Sequence, residues 1–213
     1  MARVEIDNLH ITAFCDPKGA NPNTKGSSRA AVVCVGMDSL ERIFILQSWA
    51  AYCGADEILN RIFKFNAKWK PLVFGIDTTG TQNVWLNLIN KEVELRQANG
   101  EPNLKKPPMR PVIFRGEKTR VIETIIQPRA ARGQLFRPPE QEVKELASEF
   151  RGWPTAPHRD AMDALAHAID LLPIRPHDES AEMQRRHYEH YLERIGIPKE
   201  ERKQRLADIG RSG

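Results

Sequence analysis

The order of apolar runs along the chain is the feature that most limits its fold. Strand-like runs occupy residues 9–15, 30–36 and 42–49, and a hairpin-sized connection separates the last two. Three successive strands predict an antiparallel meander. The apolar period then becomes helical at residues 58–65, and a short all-apolar run at residues 72–76 is typical of a strand buried on both faces of a parallel sheet.

The following segments alternate between helix and strand. Two helical patterns and two short strands follow in the chain, at residues 82–97 (helix), 111–114 (strand), 117–131 (helix) and 134–137 (edge strand). Pro138 and Pro139 then open a further helix. This order predicts an α/β fold in which a mixed central sheet, an antiparallel meander followed by parallel strands, is flanked by helices.

Composition and charge density divide the chain in two. We expect a folded domain over residues 1–174 and a charged helical C-terminal tail over residues 175–213, where apolar residues become sparse. The longest apolar run, residues 30–37, is far below the roughly 18 residues that a membrane span needs. The first residues contain no continuous apolar segment, so we expect neither a secretion signal nor a membrane partner, and a cytoplasmic location.

Two aspartates follow apolar strands. Asp16 comes directly after the first strand, and Asp77 comes directly after the buried strand at residues 72–76. Carboxylates at such strand ends point into the crevice where open α/β sheets place their sites. Either aspartate alone is also typical of a turn or helix cap.

A third acidic group lies on the last helix before the tail. At about 100° per residue, Asp160, Asp163, His167 and Asp170 fall within about 80° of one another, and the opposite side is apolar. Asp160 and Asp163 lie roughly 4.5 Å apart along the helix axis, whereas Asp170 lies about 15 Å from Asp160, so we expect the first two at a site, with His167 peripheral and Asp170 structural. An ordinary amphipathic helix with a solvated acidic face is the alternative.

Converging carboxylates imply a particular chemistry. Without cations they repel one another, whereas hard divalent ions with oxygen ligands remove that repulsion. Two such ions about 3.5–4 Å apart can clamp the attacking and leaving oxygens of a phosphoryl displacement. The chain has no C-x-x-C pair and no H-E-x-x-H, so the acids favour Mg²⁺ or Mn²⁺ over zinc.

Basic residues concentrate in the middle of the chain. Residues 96–137 carry ten Lys or Arg against three Glu, within a chain of net charge +4. A nucleic-acid partner and a solvated basic face both explain this segment. We expect Lys118 and Arg120, near a helix start, to contact DNA phosphates, and we assign Arg115, Arg129 and Arg132 to the same surface as secondary candidates.

Several motifs, taken in order, resemble a known family. They are F-C-D-P at residues 14–17, V-F-G-I-D-T-T-G at residues 73–80, G-E-K-T-R-V-I-E-T-I-I-Q-P at residues 116–128, G-Q-L-F at residues 133–136 and H-R-D-A-M-D-A-L-A-H-A at residues 158–168. Together they look like the nuclease domain of large terminase subunits of tailed bacteriophages. The resemblance covers residues 9–172.

The resemblance implies an RNase H-like fold with catalytic metal ligands. By similarity, Asp16 and Asp77 would be the first and second ligands, and Asp160 and Asp163 the carboxylates of the final helix. They would hold two Mg²⁺ or Mn²⁺ ions for phosphodiester hydrolysis. Because members of the family vary on that helix, the resemblance does not rank Asp160 against Asp163.

The implied function is a metal-dependent DNA endonuclease that cuts concatemeric phage DNA during genome packaging, in the host cell cytoplasm and with little sequence specificity. Implied partners are double-stranded DNA, a terminase ATPase part, the small terminase subunit and the portal. The sequence has no G-x-x-x-x-G-K-[ST], so we expect no ATPase motor in this chain. Alternatives are another RNase H-like nuclease (a Holliday-junction resolvase or an RNA/DNA hybrid nuclease), a non-catalytic DNA-binding packaging module and an actin-like nucleotide binder.

Overall fold

The computed structural model describes residues 6–18, 28–79, 84–113, 118–173, 189, 192–193 and 195–209. The chain divides into two compact units, Met1–Leu172 and Pro173–Gly213. Among the described residues, no helix combines the length and the apolar character needed to cross a bilayer.

A single mixed sheet organises the first unit. Its strands are β1 (His10–Asp16), β2 (Ala30–Met37), β3 (Ile43–Ala51), β4 (Val73–Asp77), β5 (Met109–Val112) and β6 (Leu135–Phe136). They lie side by side in the order β5, β4, β1, β2, β3, β6. Strands β1 to β3 are antiparallel, whereas β4 runs parallel to β1, β5 parallel to β4, and β6 parallel to β3. The predicted meander with added parallel strands is confirmed.

Helices cover both faces of this sheet. They are α1 (Ala55–Trp69), α2 (Val84–Ala98), α3 (Lys118–Ala131), α4 (Lys144–Gly152) and α5 (Asp160–Asp170). On one face, Ile11, Ala13 and Cys15 of β1 join a core built with apolar residues of α1 and α2. On the other face α5 packs against β1, β2 and β3, with α3 and α4 beside it. Because both faces are covered, β1 and β2 are buried almost throughout.

Local boundaries differ from the predictions in the second half of the sheet. Strand β5 is Met109–Val112 rather than residues 111–114, because its pairing with β4 begins opposite Phe74. Pro111 is tolerated there since β5 is an edge strand. The prolines at 138 and 139 open only a short 3-10 turn, Glu140–Glu142, and α4 begins at Lys144.

The described part of the second unit is rich in ion pairs. Its helix α6 (Lys199–Ile209) carries an Arg205–Glu201 pair between successive turns. Arg202 of the same helix reaches Glu193, with 3.1 Å between Nη1 and Oε1. A pair four residues apart in one helix, such as Arg205–Glu201, stabilises the helix by about 0.3–0.5 kcal/mol.

Candidate active site

Asp16 and Asp77 are neighbours at one end of the sheet. Strands β1 and β4 are parallel, and Cys15 lies opposite Ile76. Asp16 follows Cys15 and Asp77 follows Ile76, and each is the last residue of its strand. The two aspartates therefore lie side by side, on the face of the sheet that α5 covers. Both are nearly buried, with 3% and 7% of their surface exposed. Each aspartate thus stands at the end of its strand, as the sequence predicts.

Each of these carboxylates is oriented by a turn of its own. The backbone N–H of Lys18 donates to Asp16 Oδ1 over 3.3 Å, and that of Thr79 donates to Asp77 Oδ1 over 2.8 Å. An aspartate that accepts from the N–H two residues later forms the Asx turn that often ends a strand. In both residues, Oδ1 is therefore held by a backbone N–H of the same turn.

The two Oδ2 atoms share one ammonium group. Lys18 Nζ lies 3.7 Å from Asp16 Oδ2 and 3.2 Å from Asp77 Oδ2. Burial by itself would raise the pKa of Asp77, but the hydrogen bonds from Thr79 and the charge of Lys18 outweigh it and hold that pKa below its usual value. Asp77 is therefore an anion at neutral pH. Sequence reasoning did not single out Lys18, although it follows Asp16 by only two positions.

Asp160 lies at the same end of the sheet but has a different partner. It is the first residue of α5, and its Oδ2 accepts from the backbone N–H of Arg29 over 3.3 Å and from Arg29 Nε over 3.5 Å. Arg29 comes just before β2, in which Ala31 is paired with Asp16. The contact with Arg29 therefore fixes Asp160 at the end of the sheet that carries Asp16.

Glu149 of α4 anchors the start of α5. Its carboxylate accepts from the backbone N–H of Ala161 over 3.2 Å and of Met162 over 2.8 Å, and it also pairs with Arg29. The first N–H groups of a helix have no partner within it, and the residue preceding α5, Arg159, makes no capping side-chain bond. Glu149 supplies the missing cap and so fixes the position of α5.

Glu149 and Arg29 were both missed by sequence reasoning. Burial raises the pKa of Glu149 to about 7, against the lowering effect of the two helix N–H groups and of Arg29. Its partners lie 12 and 13 residues later in α5, and 120 residues earlier at Arg29. No local pattern in the sequence marks contacts over such separations.

The remaining polar residues of α5 have different environments. Asp163, one turn after Asp160, is buried with 4% of its surface exposed, and Asp160 itself is 8% exposed. The alternative of a solvated acidic face is therefore wrong for these two residues, because neither side chain is open to water. The ring of His167 stacks on Phe14 of β1 at 4.7 Å, and Asp170 is exposed.

The carboxylates form two charge clusters in this structure. Asp16 and Asp77 share Lys18, whereas Asp160 pairs with Arg29. Within the described ranges, no three His, Cys, Asp or Glu side chains are arranged as a metal site. The donor chemistry nevertheless fits Mg²⁺ or Mn²⁺, because both ions prefer oxygen ligands and the ammonium of Lys18 is a cation accepted by two of these carboxylates.

The basic candidates are described only in part. Lys118 and Arg120 lie in the first turn of α3, a helix that packs beside α5. Their side chains, and the whole of Arg115, are outside the described residues. Arg129 Nη1 donates to the carbonyl of Ile125 in its own helix over 2.8 Å, and Arg132 is exposed just after that helix.

Comparison with solved structures identifies the fold. The human cytomegalovirus terminase nuclease domain superposes with a TM-score of 0.52 at 13% identity, covering 84% of this chain and 89% of that one. The chain has the RNase H-like fold of terminase nuclease domains. The predicted fold class and the resemblance to terminase nucleases are thus confirmed at the level of the fold.

Two more distant structures also match. The nuclease domain of the large terminase subunit of bacterial virus Sf6, with manganese and beta-thujaplicinol, has a TM-score of 0.45 at 11% identity, covering 75% of this chain and 87% of that one. Thermus thermophilus RuvC with a Holliday junction substrate has a TM-score of 0.37 at 11% identity, covering 88% and 97%. No family model matches this RNase H-like chain. None of the curated proteins matches its sequence.

Proposed function

We propose that this RNase H-like chain is a divalent-metal-dependent DNA endonuclease. The observation that carries the proposal is the pair Asp16 and Asp77, two buried carboxylates that end adjacent parallel strands and turn their Oδ2 atoms toward one cation. More narrowly, we propose that it cuts concatemeric phage DNA during packaging, with little sequence preference. The fold shared with a viral terminase nuclease domain supports this narrower role.

Each acidic residue has a part in this proposal. Asp16 and Asp77 hold the cation, and Asp160 and Asp163 add the carboxylates of α5. Two Mg²⁺ or Mn²⁺ ions would activate the attacking water and stabilise charge on the scissile phosphate. Arg29 and Glu149 keep the start of α5, and with it Asp160, at this end of the sheet.

Basic residues complete the proposed substrate site. Lys118, Arg120, Arg115, Arg129 and Arg132 would contact the phosphates of double-stranded DNA, because lysine and arginine bind the backbone without reading bases. The concentration of basic residues between residues 96 and 137 supports this assignment. A terminase ATPase part, the small terminase subunit and the portal are the partners that we propose for packaging.

Asp77→Asn tests the nuclease proposal. The substitution keeps the size of the side chain but removes its negative charge, so plasmid nicking and linearisation in Mg²⁺ or Mn²⁺ should fall by at least 100-fold, a loss typical of removing one essential electrostatic contact. The matched control is Asp170→Asn, which removes an exposed carboxylate of α5 and should cleave like the wild type. Each protein is assayed with Mg²⁺, Mn²⁺, Ca²⁺ and EDTA.

The result also separates the alternatives. Cleavage by Asp77→Asn at the wild-type rate would refute the assignment of the site. Preference for a four-way junction or an RNA/DNA hybrid over plasmid would favour another RNase H-like nuclease. DNA binding that persists in Asp77→Asn, without cleavage by the wild type in any metal, would identify a non-catalytic packaging module.

A further inference from the structure

The ammonium of Lys18 lies beside the two carboxylates that would hold a metal ion. It is the group that Asp16 Oδ2 and Asp77 Oδ2 both approach, whereas their Oδ1 atoms accept backbone N–H groups. Asp16 and Asp77 are also the residues that would hold a divalent ion, which would compete with Lys18 for their carboxylates. One oxygen cannot give its full interaction to both cations, so the lysine and the ion exclude each other at this position.

The metal-free protein needs a positive charge at this position. Two nearly buried carboxylates side by side repel each other, and a cation between them offsets the repulsion. Lys18 is well suited to provide one temporarily, because 41% of its side chain is exposed and its flexible stem can return the ammonium to water. Arg29, beside Asp160, has only 15% of its side chain exposed and is also fixed by Glu149.

We propose that Lys18 is a built-in counter-ion, which holds Asp16 and Asp77 in place while no metal is bound and competes with the divalent ion for their Oδ2 atoms. The inference rests on the proposed function, since the ion is the one that the nuclease would use. It assigns to Lys18 a positioning role in the metal-free protein. It also implies that part of the metal's binding energy is used to displace the lysine.

The test is Lys18→Met, which keeps the apolar stem and removes the charge. If the ion pair is worth about 1 kcal/mol, as for a partly exposed pair, its loss should tighten Mn²⁺ binding about fivefold in a calorimetric titration. In EDTA the same variant should melt about 3 °C below the wild type, because Lys18 then no longer offsets the repulsion between the two carboxylates. When Asp77→Asn is also present, Lys18→Met should lower the melting temperature by only about 1 °C or less, because one of the two carboxylates has been replaced by a neutral amide.

Lys64→Met is the matched control. Lys64 is exposed on α1, on the opposite face of the sheet, so its loss changes the net charge equally without touching the two aspartates. Mn²⁺ titrations at about 0.15 M and 0.5 M salt separate direct competition between Lys18 and the ion from the long-range electrostatic effect of the protein's net charge, because salt strongly screens only the long-range effect. The fivefold gain should persist at high salt in Lys18→Met and be absent from Lys64→Met.

Failure of this inference can be told apart from failure of the proposed function. Unchanged or weaker Mn²⁺ binding by Lys18→Met, in a protein that still cleaves DNA in Mn²⁺, overturns the counter-ion role alone. Tighter Mn²⁺ binding by Lys18→Met, with no cleavage by the wild type, supports the counter-ion role and overturns the nuclease. If neither protein binds Mn²⁺, both proposals are refuted.

Discussion

Gly75→Ala should damage the site from inside the core. Gly75 lies in β4 two residues before Asp77, and a Cβ added there would stand 2.6 Å from Phe14 Cδ2 and 2.7 Å from Leu171 Cδ1. Atoms do not pack this closely, so a neighbour must move. The ring of Phe14 cannot swing aside freely, because it stacks on His167 of α5.

The expected loss of stability follows from two opposing effects. Forcing an extra carbon into a packed core costs about 1–3 kcal/mol. Replacing glycine by alanine within a strand returns roughly 0.5–1 kcal/mol of backbone entropy. The difference between these two ranges is about 0–2.5 kcal/mol, so we expect a net loss near 1 kcal/mol in the free energy of unfolding, or about 2–4 °C in the melting temperature for a domain of this size.

The expected loss of activity is larger than the loss of stability alone would give. Relief of the clash moves Phe14, two residues before Asp16, or displaces Leu171 and with it the end of α5. A misplacement of about 1 Å at a catalytic group can cost about 100-fold in rate, so we expect Mn²⁺-dependent cleavage to fall by at least tenfold at a temperature where the variant is fully folded.

Gly36→Ala is the matched control for this prediction. A Cβ at Gly36 would also clash, at 2.8 Å from Leu9 Cδ1, but Gly36 pairs with Ile11 at the end of the sheet away from the aspartates. The Gly36→Ala variant should therefore be less stable than the wild type but should cleave DNA at the wild-type rate. Urea unfolding and plasmid cleavage are measured on both variants, and equal activity loss in the two, or none in Gly75→Ala, would refute the coupling of the core to the site.

Two further predictions concern the start of α5 and the DNA surface. The pKa of Glu149 in the folded protein, about 7, is above its ordinary value of 4.5, so its contribution to stability is present below about pH 4.5 and is lost as the pH rises through 7. Between pH 4.5 and 7 the free energy of unfolding of the wild type, measured with urea, should fall by up to about 3 kcal/mol relative to that of Glu149→Gln. A difference between the two proteins that does not change with pH would contradict the raised pKa of Glu149. Lys118→Ala and, separately, Arg120→Ala should weaken binding to all DNA sequences alike. Each should reduce the slope of the logarithm of the binding constant against the logarithm of salt concentration by about one, and an unchanged slope would show that the residue makes no phosphate contact.

The sequence by itself determined the strands, the helices and the chemistry of the strand ends. Strands and helices have periods of two and 3.6 residues that are visible over a few positions, so the meander, the buried strand β4 and the helices could be predicted locally. The places of Asp16 and Asp77 at the ends of their strands could be predicted in the same way, because each follows its apolar run directly and strand ends of open α/β sheets commonly carry the site.

Only the tertiary structure decided how each carboxylate is held. Sequence reasoning left open whether the acidic face of α5 is solvated, and in the folded chain Asp160 and Asp163 are buried. Glu149 and Arg29 act across separations of 12 to 131 residues, and no periodicity records such contacts. The bridging ammonium of Lys18 likewise exists only because β1 and β4 are adjacent, which brings Asp77 to a lysine 59 positions earlier in the chain. Local patterns specify which groups reach an edge of the sheet, whereas their charges are balanced by whichever residues the packing brings there.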